Sequence, residues 1–314
     1  MGRIGGSKNV SSSAYCHLGT KLTTTRYLEV EPEVDITIVD NETTLGGTWC
    51  KNRLYTSLVA EAHYGLFEYS DHPMSPIGIQ NDGRIPGSSV HRYLDEYATK
   101  FDLQRRIRLG CTVKSTEWDH DRGTWSLGLV GSDEKLLCEK LIVATGLTSK
   151  PSLPNVAHDT YQGETLHTKS LGDHDFVQKI QSPTVEQVLV YGGSKSAFDT
   201  VHMLLQMGKQ IEWAIRPGNG PSIMSPLSIF GSRTFRLSNS RFMGLFSPTA
   251  YDLESRWHKV VHGARSTRIA RSGVKCFWRF MAYLTMRPAQ YDISENGRRL
   301  SPQLGLMRYV LMRL

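Results

Sequence analysis

Short β-branched runs alternate with helical stretches along this chain, and each run closes on a polar or glycine-rich segment. Asp35-Ile-Thr-Ile-Val-Asp40 is the most compact of them and has the pattern of a buried strand. Val90, Tyr93, Leu94, Tyr97, Ala98 and Phe101 then recur at helical spacing behind Ser89, which is read as the N-cap. Thr112–Trp118 and Thr124–Val130 read as paired strands across the Asp119–Gly123 turn, and Leu136–Val143 reads as one further strand running into Ala144-Thr145-Gly146. Ser149–Pro154 is linker-like. Beyond it, Val188–Tyr191 opens a second unit: a strand, a glycine turn, a helix from about Ser196 to Met207 with Gly208 at its C-cap, and the strand Ile211–Ile215 before Arg216-Pro-Gly-Asn-Gly220. Residues 1–26 show neither period, Tyr27–Glu33 reads as the end of a helix, and residues 221–314 mix Pro, Ser and Arg with aromatic clusters such as Phe277–Phe280.

Composition narrows the class. The chain has 314 residues, 39% hydrophobic, with mean hydropathy −0.33, and no run approaches the length of a membrane span. The N-terminus has no apolar signal segment, and Gly6 stands where a myristoylation motif needs Ser or Thr. Five dispersed cysteines, none in a CxxC, read as reduced thiols of a cytoplasmic protein and argue against a dithiol reductase. The net charge of +7 is lopsided: from Leu205 onward there are 17 Lys/Arg against 5 Asp/Glu. A solvated basic face that partly serves an anionic cofactor accounts for this, with peripheral membrane contact as the alternative; no nucleic-acid motif is present.

The chemistry sits at the strand ends. In Val188-Leu-Val-Tyr-Gly192-Gly193-Ser194-Lys195-Ser196-Ala197 a buried strand delivers a tight turn into a helix. Backbone N–H groups at such a helix start face a pyrophosphate, and the helix dipole favours its charge. Gly192, Ser194 and Ala197 take the three places of the G-x-G-x-x-G/A fingerprint, with Ser as a departure at the second. Arg216 ends the next strand, where an acid would hold the ribose of NAD; an arginine there suits the 2′-phosphate of NADP. Lys195 adds charge near the phosphates or is simply solvated. Metal-ligand spacing is absent from the sequence.

Residues 27–220 resemble the flavin-containing monooxygenases and their Baeyer–Villiger relatives, including fungal members. The motifs that carry this are Leu45-Gly46-Gly47-Thr48-Trp49, Leu141–Gly146, Val188–Asp199 and the Arg216 strand end, in that order. A further one is Tyr161-Gln-Gly163-Glu-Thr-Leu-His167-Thr-Lys-Ser-Leu171, which resembles the family signature F-x-G-x-x-x-H-x-x-x-[YF] with Tyr161 and Leu171 as departures. The resemblance implies an α/β fold with two Rossmann-like dinucleotide-binding domains, one for FAD and one for NADP. It would place the FAD domain at residues 1–154, a linker with the signature at 155–183 and the NADP domain at 184–314. It implies that Asp40 receives the ribose hydroxyls of FAD, while Gly46, Gly47, Thr48, Trp49, Ala144, Thr145 and Gly146 pass close to the flavin. NADPH would lie on Gly192, Gly193, Ser194, Lys195, Ser196, Ala197 and Arg216. The implied reaction transfers one oxygen atom of O2 to a small organic substrate through a C4a-hydroperoxyflavin, with His167 shaping the site and Arg53 as a charge near the flavin. Glu61 stands about where the family has an Asn near the flavin.

The pattern departs at both ends. About 25 residues before Asp40, where a buried strand and a G-x-G-x-x-G turn are expected, the chain offers Ser11–Thr20 instead, and it stops at Leu304–Leu314 where relatives run on. The expectation is therefore that both domains are incomplete and that FAD is retained weakly, with an NADP-binding remnant as the rival reading. A misplaced reading frame ahead of Tyr27 would produce the unusual start.

Overall fold

The computed structural model describes residues 9–13, 25, 28–146, 150–154, 161–220, 228–229, 232–233, 246, 256–263, 267–286 and 290–301. Within it the chain divides into two compact units. The first comprises residues 1–60, 68–79 and 85–181, and the second residues 61–67, 80–84 and 182–314.

The first unit is built on a parallel sheet. Asp35–Val39 (β2) buries Ile36, Ile38 and Val39, as its β-branched run requires. It pairs on one side with Ile107–Arg108 (β5) and on the other with Asn9–Ser13 (β1). Lys140–Val143 (β9) pairs with the far side of β1, so the order is β5-β2-β1-β9. A strand ahead of Tyr27 is a correction to the sequence reading, which found none. Val-Ser-Ser-Ser has no apolar alternation, but a central strand is held by ladders on both sides: Val10 is in register with Ile36 and Lys140, and Ser13 with Val39 and Val143. The remainder of the Ser11–Thr20 stretch, Tyr27, and linker positions 147–149 and 155–160 lie outside the described residues, as does Leu304–Leu314. Val34, Ile36 and Ile38 form a core with Leu28, Ile107, Ile142 and Ala144 packed against it.

The strand read as Leu136–Val143 is two strands. Lys135–Cys138 (β8) pairs antiparallel with Thr124–Leu129 (β7), which pairs with Val113–Asp119 (β6). The chain then leaves that sheet at Glu139 and continues as β9 in the parallel one. The β6–β7 turn is as the sequence indicates: Asp119 Oδ1 accepts from the N–H groups of Asp121 and Arg122, both at 3.0 Å, and Trp118 faces Trp125 across the strands. Val59–His63 (β3) and Arg84–Pro86 (β4) form a further two-stranded sheet.

The helix α1 spans Gly87–Lys100 and starts ahead of Ser89, because Gly87 N–H donates to Leu58 O at 2.8 Å and its missing side chain admits Leu54 and Leu58. Val90, Tyr93, Leu94, Tyr97 and Ala98 are all buried on one face. The Tyr93 hydroxyl accepts from Tyr69 N and donates to His72 O, each at 2.7 Å, and burial pushes its pKa up to about 12. Replacing Tyr93 by Phe strands a buried N–H and a carbonyl, and we expect a loss of about 1–3 kcal/mol in chemical denaturation. A stability within 0.5 kcal/mol of wild type, roughly the scatter of a neutral surface change, would show that those groups find other partners.

The first unit ends with the helix His174–Gln181 (α2). The second unit holds a β–α–β segment. Gln187–Tyr191 (β10) runs parallel to Gln210–Ala214 (β11), with Val188 opposite Ile211 and Tyr191 opposite Ala214. Between them, Lys195–Gln206 (α3) buries Ala197, Val201, Met203 and Leu204. The region beyond residue 220, unassigned from sequence, contains the helices Arg256–Val261 (α4), Arg268–Met286 (α5) and Glu295–Leu300 (α6). Among the described residues no helix is long and apolar enough to cross a membrane.

Candidate functional site

In the first unit the strand order reverses at β1. From there the chain passes to β2 on one side and, later, β9 pairs on the other. In open parallel sheets the crevice for a ligand lies outside the carboxyl ends of the strands at such a reversal. A cavity of about 270 Å³ opens there, lined by Val39 and Asn41 at the end of β2, Val143 and Thr145 at the end of β9, and Cys111–Thr116.

Asp40 directly follows β2 and is buried. Its Oδ1 accepts from Glu42 N at 3.0 Å, its backbone N–H donates to Arg108 O and its carbonyl accepts from Cys111 N. Thr145 lies on the cavity wall and Ala144 packs on the core, with Gly146 in the left-handed region at φ +77°.

The Leu45–Arg53 loop follows. Gly46 takes φ +125°, and a Cβ there would stand 2.9 Å from the Trp49 carbonyl carbon; its glycine identity is demanded twice over. Gly47, Thr48 and Trp49 make one 3-10 turn and Lys51–Arg53 a second. His91 of α1 braces this loop: its Nδ1 lies 3.0 Å from Leu45 O, and because a carbonyl only accepts, Nδ1 carries the proton. Burial depresses the His91 pKa despite that bond and a second to the Trp49 backbone. Glu42 accepts from Asn52 Nδ2 at 2.9 Å and is ion-paired with Arg53. Burial alone would raise the Glu42 pKa, but the Asn52 bond and the Arg53 charge outweigh it and the net shift is downward. Burial and the Glu42 carboxylate push the Cys50 thiol up to about 12, so it is an inert thiol at neutral pH. His91 and Glu42 were not singled out from sequence, where nothing local marks an acid or imidazole whose partners lie 10 to 46 residues away.

The signature segment belongs to the same unit. His167 caps the 3-10 turn Thr168–Gly172: its Nδ1 accepts from Lys169 N at 3.1 Å, so the ring proton sits on Nε2. Leu171 is buried, and Gly172 meets the second turn of the loop backbone to backbone, since a Cβ on it would lie 2.3 Å from Asn52 O and 2.5 Å from Arg53 Cα. His167, read from sequence as shaping the site, caps this turn, and Arg53, read as a charge near the flavin, is ion-paired with buried Glu42; Glu61 lies on β3.

In the second unit a glycine turn joins β10 to α3. Gly192 takes φ +128°, and a Cβ on it would be 3.8 Å from Ala197 Cβ, so the turn and the helix start are closely opposed. Gly193 is backed by Asn219, whose carbonyl oxygen would lie 1.8 Å from a Cβ. Ser194 is the N-cap of α3 without a side-chain capping bond, and Ser196 and Ala197 lie in its first turn. The Lys195 ammonium is spent on buried Asp199 one helical turn on. Arg216 is exposed after β11, in a loop fixed by Gly218 N to Arg299 O and Gly220 N to Leu300 O, at 2.8 and 2.7 Å.

A parallel sheet with a strand reversal in the first unit and a parallel β–α–β segment with a glycine turn in the second together define the class as a dinucleotide-binding-type α/β fold. The chain belongs to the pyridine nucleotide-disulphide oxidoreductase family, whose model matches residues 60–225, just over half of it. Within that breadth the monooxygenase resemblance read from the motifs is borne out. The chain is 48% identical over 291 residues to an FAD-dependent monooxygenase of Aspergillus nomiae, covering 89% of this chain and 50% of that protein. It is 47% identical over 308 residues to another of Pyrenophora dematioidea, covering 95% and 56%. Among solved structures, an NADP+-bound cyclohexanone monooxygenase variant from Rhodococcus superposes with TM-score 0.58 at 18% identity, covering 94% of this chain and 60% of that one. OTEMO in complex with FAD and NADP gives TM-score 0.60 at 15% identity, covering 95% and 61%. These superpositions bear out the α/β fold with two Rossmann-like domains. The chain spans about half the length of the curated relatives it matches.

Proposed function

We propose that this chain forms the FAD- and NADPH-binding core of a monooxygenase that transfers one oxygen atom of O2 to a small organic substrate. The observation that carries the reading is the strand reversal at β1, with a cavity at the carboxyl ends of β2 and β9. Two features supply the fit to a flavin dinucleotide: a buried acid at the end of β2, and a loop whose Gly46 leaves no room for a side chain.

Asp40 would accept from ribose hydroxyls, while Gly46–Trp49 and Ala144–Gly146 would bring backbone against the cofactor. When bound, the flavin supplies the activation of oxygen; the protein orients it and excludes water. In the second unit, the N–H groups at the start of α3 would face the NADPH diphosphate, and Arg216 the 2′-phosphate. Lys195, held by Asp199, is a helix-surface partner rather than a phosphate ligand in this reading. The relatives' names support FAD and oxygen chemistry, and β1 supplies the parallel strand, though not the glycine turn, whose absence from the sequence led to the expectation of weak FAD retention.

The test is to reconstitute the full chain with FAD, then record its visible spectrum and NADPH-dependent oxygen uptake. We expect a bound-flavin spectrum and flavin bleaching by NADPH under anaerobic conditions. Protein that stays colourless at saturating FAD, or flavin that NADPH does not bleach, would refute the proposal.

A further inference from the structure

The Leu45–Arg53 loop is fastened by a buried carboxylate that the motif pattern does not include. Glu42 lies two residues past Asp40, and its own N–H donates to Asp40 Oδ1. Its carbonyl accepts from Gly110 N at 2.9 Å, so its backbone is pinned at the strand end. Its side chain, only 8% exposed, reaches Asn52 with one oxygen and Arg53 with the other. Arg53 is 11% exposed, and its Nε has no hydrogen-bond partner among the described residues, so the bond to Glu42 is what answers its charge. On the opposite side the same two residues lie against the Gly172 backbone.

We propose that Glu42 is a positioning residue for the flavin: through Asn52 and Arg53 it locks the glycine loop to the Asp40 strand end and to the Thr168–Gly172 turn. This rests on the flavin site proposed above. Each of the loop's two 3-10 turns is closed by only two i to i+3 bonds, of 2.9–3.2 Å, with the poorer geometry of that helix type. A loop so built holds its shape through external ties, and a small displacement of backbone facing a cofactor is felt in affinity. The ion pair also carries a condition. A buried pair replaced together by apolar residues is often tolerated, whereas removal of one partner leaves an uncompensated charge. Stability and cofactor positioning can therefore be separated.

The experiment compares wild type, Glu42→Gln, and the double variant Glu42→Met/Arg53→Met in the full chain. Thermal unfolding is measured without FAD, and FAD affinity by quenching of flavin fluorescence. Wild type that takes up no FAD refutes the flavin reading itself, whatever the variants do. Given wild-type binding, we expect Glu42→Gln to melt several degrees lower and to bind FAD at least tenfold more weakly. The double variant should regain the wild-type melting temperature while its FAD affinity stays at least tenfold weak. An affinity that recovers in step with melting would make Glu42 merely structural and overturn the proposal. So would an unchanged affinity in Glu42→Gln. An increased affinity in that variant would also overturn it, because it would mean that Arg53, once released, binds the anionic cofactor directly.

Discussion

Replacing Gly193 by Ala should abolish tight NADPH binding and destabilise the second unit. The position is not strained in its backbone; the obstacle is Asn219, whose carbonyl oxygen would lie 1.8 Å from the new methyl carbon. That carbonyl cannot simply swing away, because the neighbouring Gly218 and Gly220 N–H groups are bonded to the last carbonyls of α6, and a Cβ on Gly220 would itself meet Leu300 O at 2.4 Å. The methyl must displace either the β10–α3 turn or the loop that carries Arg216. Overpacking of this kind costs roughly 1–3 kcal/mol. Either displacement also moves the proposed diphosphate donors or the proposed 2′-phosphate cation, so the NADPH dissociation constant should rise at least about tenfold, equivalent to ~1.4 kcal/mol. Thermal unfolding and an NADPH titration on the same preparation measure both. Wild-type values in the two assays would mean that the turn is not packed as described.

Arg216→Gln should separate the two nicotinamide cofactors. Arg216 is exposed, follows β11, and its carbonyl accepts from Asn219 N at 3.0 Å, so the backbone of its loop is set independently of the guanidinium. Hydrogen bonds to charged groups contribute about 1.5–3 kcal/mol, so removing the cation should weaken NADPH by roughly 10–100-fold. NADH, which lacks the 2′-phosphate, should bind the variant as it binds wild type. The paired titrations decide the matter: equal losses for both cofactors would show that Arg216 serves the loop rather than the phosphate. The lysine next to the fingerprint is a contrast. Lys195, which reads from sequence as a charge near the phosphates or a solvated one, is ion-paired with Asp199 one turn further along the same helix face.

What the sequence made legible is what depends on near neighbours. The Ile36–Val39 run, the α1 face of Val90, Tyr93, Leu94 and Tyr97, the Asp119 turn and the β10–α3–β11 unit each carry their own periodicity or turn chemistry. All are found within a few residues of where that chemistry indicates. What escaped depends on distant partners. Val10–Ser13 is a strand only because Ile36–Val39 and Lys140–Val143 offer ladders on both sides. The break at Glu139 escaped because Leu136–Val143 is uniformly strand-forming while its two halves serve different sheets. Ser89 looked like a cap, but the helix begins where Gly87 meets Leu58 O. In the site, the glycines announced themselves by spacing. Glu42 and His91 did not, since their roles consist of contacts to a loop 10 and 46 residues away.

The claim on which the account turns is that the Gly192–Ala197 backbone cradles a dinucleotide diphosphate. Amide hydrogen exchange of the full chain with and without saturating NADP+ tests it at those residues. The account predicts slowed exchange at the start of α3, and at Asn219 in the loop behind Gly193. Exchange left unchanged there, with NADP+ protecting some other segment or none, would contradict it.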